Sequence, residues 1–146
     1  MKFERTTILF CLCLLSATGA AQDLLDPEVA FKATARLVKP GTIEVRYETA
    51  PGYYLYRDRL AFALAPPEAH LGKPKLPAGK IKQDAFFGKS VIYRNLTVVR
   101  LPVSAPAGAA LTLTADLQGC ADIGVCYPPV RRTFSLAAPD SATGTK

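Results

Sequence analysis

The chain has no tryptophan, a single histidine (His70) and a single methionine, the initiator. It has four cysteines, two of them (Cys11 and Cys13) near the amino terminus. A soft-metal centre such as one for Cu(I) draws on cysteine together with further soft ligands, and the remaining cysteine pair has none to join it, so no metal and no cofactor is expected. Nor does any segment after the first twenty residues carry the ~20 apolar residues needed to span a bilayer as a helix. The net charge is +6, but Arg131-Arg132 and Lys80/Lys82 are the tight basic groups and the rest are scattered. That distribution describes a solvated surface and excludes a nucleic-acid interface, which needs a clustered basic patch. Helical periodicity longer than two turns is also missing.

What is there begins with a leader. Lys2 and Arg5 precede a ten-residue apolar run, Ile8 to Ala17, and the small residues Gly19, Ala20 and Ala21 follow. This is the three-part pattern of a secretory signal peptide, expected over residues 1–21 with cleavage after Ala20 or Ala21. No small residue immediately precedes Cys11 or Cys13, so the leader is not of the lipoprotein type. Removing it takes away two basic residues and one acidic residue, leaving +5, and leaves Cys120 and Cys126 as the cysteine pair. An exported chain with one such pair lives where disulfides form and persist.

Period-two alternation dominates the remainder. Phe31 to Val38, Thr42 to Thr49, Leu111 to Gln118 and Val130 to Leu136 alternate cleanly. In Tyr54 to Leu64, residues Tyr54, Tyr56, Leu60, Phe62 and Leu64 are expected to share one apolar face. Val91 to Val103 is β-rich but less regular, consistent with a bulge or two short strands. Pro40-Gly41, Pro51-Gly52, Pro66-Pro67, Pro77 to Gly79 and Pro106 to Gly108 punctuate these runs. Six or more short strands separated by turns predict an all-β, immunoglobulin-like antiparallel sandwich over residues 22–137. Residues 138–146, rich in Ser, Thr and Gly, read as a flexible tail or linker.

The cysteine pair lies in "GCADIGVCYPP", Gly119 to Pro129. As a staple it closes a loop of ~7 residues, worth about 2.4 kcal/mol in the chain-entropy picture and near the low end for disulfides. As a redox couple it needs two sulfurs that close reversibly and at least one open to a partner. Strand parity continues the outward series Thr112, Thr114, Asp116, Gln118 to Cys120, which predicts an accessible pair where a strand leaves the sandwich. Gly124 permits a turn between the cysteines. Pro128 and Pro129 oppose regular sheet pairing after them. Both readings stand on these residues alone: a thiol–disulfide exchange protein, or a non-catalytic secreted binding module with a structural bridge.

Three segments carry a resemblance. "GCADIGVCYPP", "PGYYLYRDRL" (Pro51 to Leu60) and "DAFFGKSVIYR" (Asp84 to Arg94) are similar, in the same order, to segments of the N-terminal domain family of the thiol:disulfide interchange protein DsbD. The resemblance implies an immunoglobulin-like sandwich in the periplasm with a redox-active disulfide. It implies that Cys126 forms the mixed disulfide with partners and Cys120 closes the internal bond. Asp84, Phe86, Phe87 and Gly88 match a cap loop that shields the sulfurs, and Tyr54, Tyr56 and Tyr127 are expected near them. The implied donor is a thioredoxin-like domain fed through a membrane domain, both expected outside these 146 residues. The implied acceptors are periplasmic disulfide isomerases and cytochrome c maturation thiol proteins. Two departures are visible: Ala85 stands where a second acidic residue is common, and Phe87 where tyrosine is common. From composition alone, Phe86 and Phe87 would be ordinary core residues.

Overall fold

A computed structural model describes residues 23–136; the leader expected over 1–21 and the tail expected over 138–146 lie outside them. A four-residue helix, α1 (Pro27–Ala30), leads into twelve strands among the described residues. They are β1 (Phe31–Lys39), β2 (Thr42–Thr49), β3 (Tyr53–Tyr56), β4 (Ala61–Ala65), β5 (His70–Leu71), β6 (Lys80–Asp84), β7 (Gly88–Tyr93), β8 (Leu96–Ser104), β9 (Leu111–Leu117), β10 (Gly119–Ala121), β11 (Val125–Cys126) and β12 (Val130–Leu136). The sheets run β1-β2-β8-β5, β11-β10-β3-β7-β6 and β12-β9-β4. All neighbours are antiparallel. This is the immunoglobulin-like sandwich that the alternation predicts.

The core forms where the inward residues of facing strands meet. Phe31, Ile43, Val45, Tyr47, Leu55, Val99, Leu101, Leu113 and Leu117 are all fully buried. On the outer face of β2, Glu44 sits between Arg36 of β1 and Arg100 of β8 in register. It is buried beneath Arg36, Arg46 and Arg100, at 3.1, 3.3 and 3.6 Å. The hydrogen bond from Arg36 does most to hold its carboxyl below the usual range, against the opposing effect of burial.

Two expectations fail, the first through a reset of strand parity and the second through a cluster that covers the outer face. Tyr54 to Leu64 is not one strand. A single 3-10 turn, Arg57–Arg59, separates β3 from β4, which joins a different sheet. Phe62 and Leu64 therefore pack on the main core, while Tyr54 and Tyr56 belong to a second, smaller cluster with Ile92 and Cys120. Cys120 keeps the outward parity of β9 but not the expected exposure: Gly119 and Ala121 lie against the main core, and Cys120 joins the Tyr54–Tyr56 cluster on the opposite face. The ladder with β12 ends at Leu117, and the chain crosses to pair with β3 as β10. Cys120 is 0% exposed.

Strand β3 is consequently buried on both sides. Tyr53 and Leu55 face the main core, and Tyr54 and Tyr56 the second cluster. The close approach of β10 explains Gly119: a Cβ there would lie 2.4 Å from the Tyr54 carbonyl oxygen and 2.6 Å from the Phe31 ring. A side chain at that position would push β10 off β3 and take Cys120 with it.

Candidate active site

Cys120 and Cys126 stand directly opposite each other on β10 and β11. They are joined by a disulfide, with Cα atoms 3.9 Å apart. Such a short separation marks the narrow, non-hydrogen-bonded type of antiparallel pair. The ladder bond beyond it runs from Tyr127 N to Gly119 O, at 3.0 Å. Gly124, at φ 89°, closes the turn between the two short strands. The pair is asymmetric. Cys120 is sealed between β3 and β11, whereas Cys126 is only half-buried on a strand at the edge of its sheet. The expected exposure therefore belongs to one sulfur of the two.

A line of polar groups runs from the sulfurs to the cap loop. The Tyr56 hydroxyl lies 3.3 Å from Cys120 Sγ and 3.9 Å from Cys126 Sγ. Bonded sulfurs carry no proton, so the hydroxyl is the donor. The Tyr54 hydroxyl lies 3.5 Å from that of Tyr56 and donates to Asp84 Oδ2 at 2.8 Å. Asp84 Oδ1 in turn accepts from the backbone N–H groups of Phe86 and Phe87, at 2.8 and 3.1 Å. One carboxylate thus folds the three-residue loop between β6 and β7 and ties it to β3. Gly88, at φ 66°, lets that hairpin close opposite Asp84.

The electrostatics keep these groups in fixed protonation states. Burial, reinforced by neighbouring Tyr54 and Asp84, pushes the Tyr56 hydroxyl far above its usual range. Burial also raises Tyr54. Both remain neutral O–H donors at physiological pH. For Asp84, burial opposes ionisation, but the tyrosine hydroxyls and the amides of Phe86 and Phe87 outweigh it and lower its pKa.

The two phenylalanines are not core residues: Phe86 is 57% and Phe87 38% exposed. The Phe87 ring meets Tyr56 edge-on at 4.8 Å, and the Arg59 guanidinium lies 4.4 Å from its centroid. Tyr127 is placed differently from the other expected site residues. Its ring packs edge-on against Phe31 at 5.3 Å and beside Tyr53, and its hydroxyl donates to Leu25 O. It lies with the main core, turned from the Tyr54–Tyr56 cluster, because side chains alternate on leaving Cys126.

Residues that the sequence did not single out also converge here. Asp122, between the cysteines, forms a two-pronged ion pair with Arg94, at 2.6 and 2.9 Å. Arg94 and Lys82 place their charges 5.1 and 5.2 Å from the Tyr54 ring centroid. Asp122 is legible as a carboxylate in the loop between the cysteines, but nothing local indicates a partner 28 residues away.

The family model for "Thiol:disulfide interchange protein DsbD, N-terminal" matches residues 21–138. The chain belongs to this family. Thiol:disulfide interchange protein DsbD 1 of Pseudomonas aeruginosa is 39% identical over 112 residues, covering 77% of this chain and 19% of that protein. The chain spans about a fifth of the length of the curated DsbD relatives it matches. The reduced DsbD N-terminal domain of Neisseria meningitidis is similar in structure, with TM-score 0.73, 36% identity, and coverage of 81% of this chain and 93% of that one. A complex of the DsbD and PilB N-terminal domains from the same organism contains a chain matching at TM-score 0.67 and 36% identity, with coverage of 79% and 88%.

Proposed function

We propose that this DsbD N-terminal domain is a periplasmic thiol–disulfide relay of the protein-disulfide reductase type, with Cys126 as the exchanging sulfur and Cys120 as the resolving one. The observation that carries the assignment is the difference in burial across a single bonded pair: Cys120 is sealed and Cys126 reaches the surface. Exchange depends on which sulfur an incoming thiolate can reach.

In the reduced domain, the Cys126 thiolate attacks a sulfur of the partner's disulfide. One S–S bond now joins the two proteins, the partner's own bond breaks, and its freed sulfur takes up a proton. The Cys120 thiolate then attacks Cys126 Sγ, closing the internal disulfide and releasing the second partner sulfur. Two electrons pass to the partner, which is reduced, and the domain is oxidised. The reverse sequence with a reduced thioredoxin-like donor restores the dithiol. The acceptors in this reading are oxidised periplasmic disulfide isomerases and cytochrome c maturation thiol proteins. The relative's complex with the PilB N-terminal domain supports a protein partner at this kind of domain.

The surrounding residues take graded roles. Tyr56 offers its O–H to whichever sulfur carries charge. Tyr54 and Asp84 hold the loop of Phe86, Phe87 and Gly88, and Phe87 covers Tyr56 and the sulfurs behind it. Tyr127 supports the hairpin from the core side. Trapping tests the sulfur roles: reduced Cys120→Ala, mixed with an oxidised thioredoxin-fold disulfide isomerase, accumulates a mixed disulfide through Cys126. If neither single-cysteine variant forms an adduct, the relay reading fails.

A further inference from the structure

Once the internal disulfide is reduced, something other than the S–S bond must keep Cys126 opposite Cys120. Strand β11 is only two residues long and lies at a sheet edge. On its inner side, the loop between the cysteines is fastened by the Asp122 N–H, which donates to Gly52 O at 2.7 Å. The hairpin's own bonds, Gly124 N–H to Ala121 O and Tyr127 N–H to Gly119 O, are both 3.0 Å, and Arg94 adds a side-chain fastening to β3. Its Nη1 donates to Tyr53 O at 3.1 Å and to Asp122 Oδ2 at 2.9 Å, and its Nη2 to Asp122 Oδ1 at 2.6 Å. The same guanidinium lies 5.1 Å from the Tyr54 ring centroid, within reach of a cation–π interaction. Tyr54 in turn donates to Asp84, the carboxylate that folds the cap loop.

We propose that Arg94 is a positioning residue for the exchange reaction: it pins the loop between the cysteines to β3, holds the two reduced thiols face to face, and links that loop through Tyr54 to the cap. This rests on the relay reading above and adds a determinant of the resolving step. The fork geometry matters. A guanidinium meets both oxygens of one carboxylate at once and still has donors for a backbone carbonyl. A lysine ammonium is a point charge and cannot span the three acceptors. Asp122 neutralises the guanidinium, and the guanidinium holds the Asp122 carboxyl below its usual range, chiefly through their hydrogen bond. The pair therefore acts mainly by placement rather than by its net field at the sulfurs. Placement converts to rate and equilibrium through effective concentration: thiols held in near-attack geometry close far more readily than thiols on a loose loop.

The test is the effective concentration of the Cys120/Cys126 pair, read as the equilibrium between the domain disulfide and glutathione. It is measured at pH 6, below the ordinary cysteine pKa of ~8.5, so that both thiols are protonated and charge changes at position 94 enter little. Arg94→Ala is expected to lower it about tenfold, which moves the couple about 30 mV in the oxidising direction. Arg94→Lys recovers less than half of that loss. Asp122→Asn shifts it the same way, and the double variant Arg94→Ala/Asp122→Asn is no worse than the stronger single one, as expected for partners in one interaction. The Phe86 and Phe87 amides exchange faster with solvent in Arg94→Ala. A folded Arg94→Ala protein with an effective concentration within twofold of wild type overturns the proposal, and unchanged exchange at Phe86 and Phe87 overturns the link to the cap. If Arg94→Ala does not fold, Asp122→Asn decides alone, since it removes the fork from the loop side and leaves the bond to Tyr53 O in place. The glutathione measurement involves no protein partner, so its outcome is separate from the trapping experiment.

Discussion

Tyr56 places one hydroxyl against both sulfurs, and burial, reinforced by its neighbours, prevents that hydroxyl from ionising. A neutral donor favours the thiolate over the thiol. A hydrogen bond to a charged group is worth roughly 1.5–3 kcal/mol, and one pKa unit is about 1.4 kcal/mol. Tyr56→Phe is therefore expected to raise the thiol pKa by about one unit, read from the pH dependence of alkylation, with little loss of stability. Asp84 gives a prediction in pH. Its folded-state pKa lies below the ordinary 3.8, so the stability it lends the loop is present above that value and is lost as pH falls through the lower, folded-state value. A phosphine reductant works in acid, where thiols do not. The wild-type disulfide should be reduced several-fold more slowly than that of Asp84→Asn at pH 7, and the two rates should converge only as the pH falls through the folded-state value, which lies below 3.8. A constant ratio across the range would contradict the role of the carboxylate.

At the scale of elements, the site is a joint between a rigid strand and a light hairpin. Strand β3 is buried on both faces, while β6 is an edge strand whose one large apolar residue, Ile81, is 68% exposed. The β6–β7 loop is held by the Asp84 carboxylate, the Ser90 hydroxyl and the contacts of the Phe87 ring with Tyr56 and Arg59, so Phe87→Ala is expected to speed reduction by dithiothreitol three- to tenfold while leaving the melting temperature within a few degrees. The same contrast explains what could be read from sequence. Strands β2 and β12 were legible because each has one wet and one dry face, which writes a period of two into the residues. Strand β6, polar on both faces, left no such trace. Strand β10 is three residues long and buried throughout, so parity carried over from β9 indicated the face of Cys120 but not the cluster that covers it. The cap segment and the cysteine loop were legible as motifs. The Arg94–Asp122 pair was not, because it depends on which strands lie side by side rather than on local spacing.

For the whole molecule, the main core and the sulfur cluster are distinct groups of residues on opposite faces of β3, β7 and β10. The disulfide closes a short loop and ties no distant strands, so its contribution of about 2.4 kcal/mol is a modest part of the stability of a domain this size. Reduction is expected to lower the melting temperature by roughly 10 °C and to leave a single cooperative transition in calorimetry. Collapse on reduction would instead favour a structural bridge. The unequal burial of the two sulfurs also bears on oxidative damage. A peroxide reaching the reduced domain meets Cys126 first and converts its thiolate to a sulfenic acid. Cys120 lies directly opposite and condenses with it, forming the disulfide and releasing water before further oxidation to the irreversible sulfinic acid. An encounter that would destroy a lone exposed thiol thus returns the domain to its disulfide form, the oxidised state of the proposed cycle.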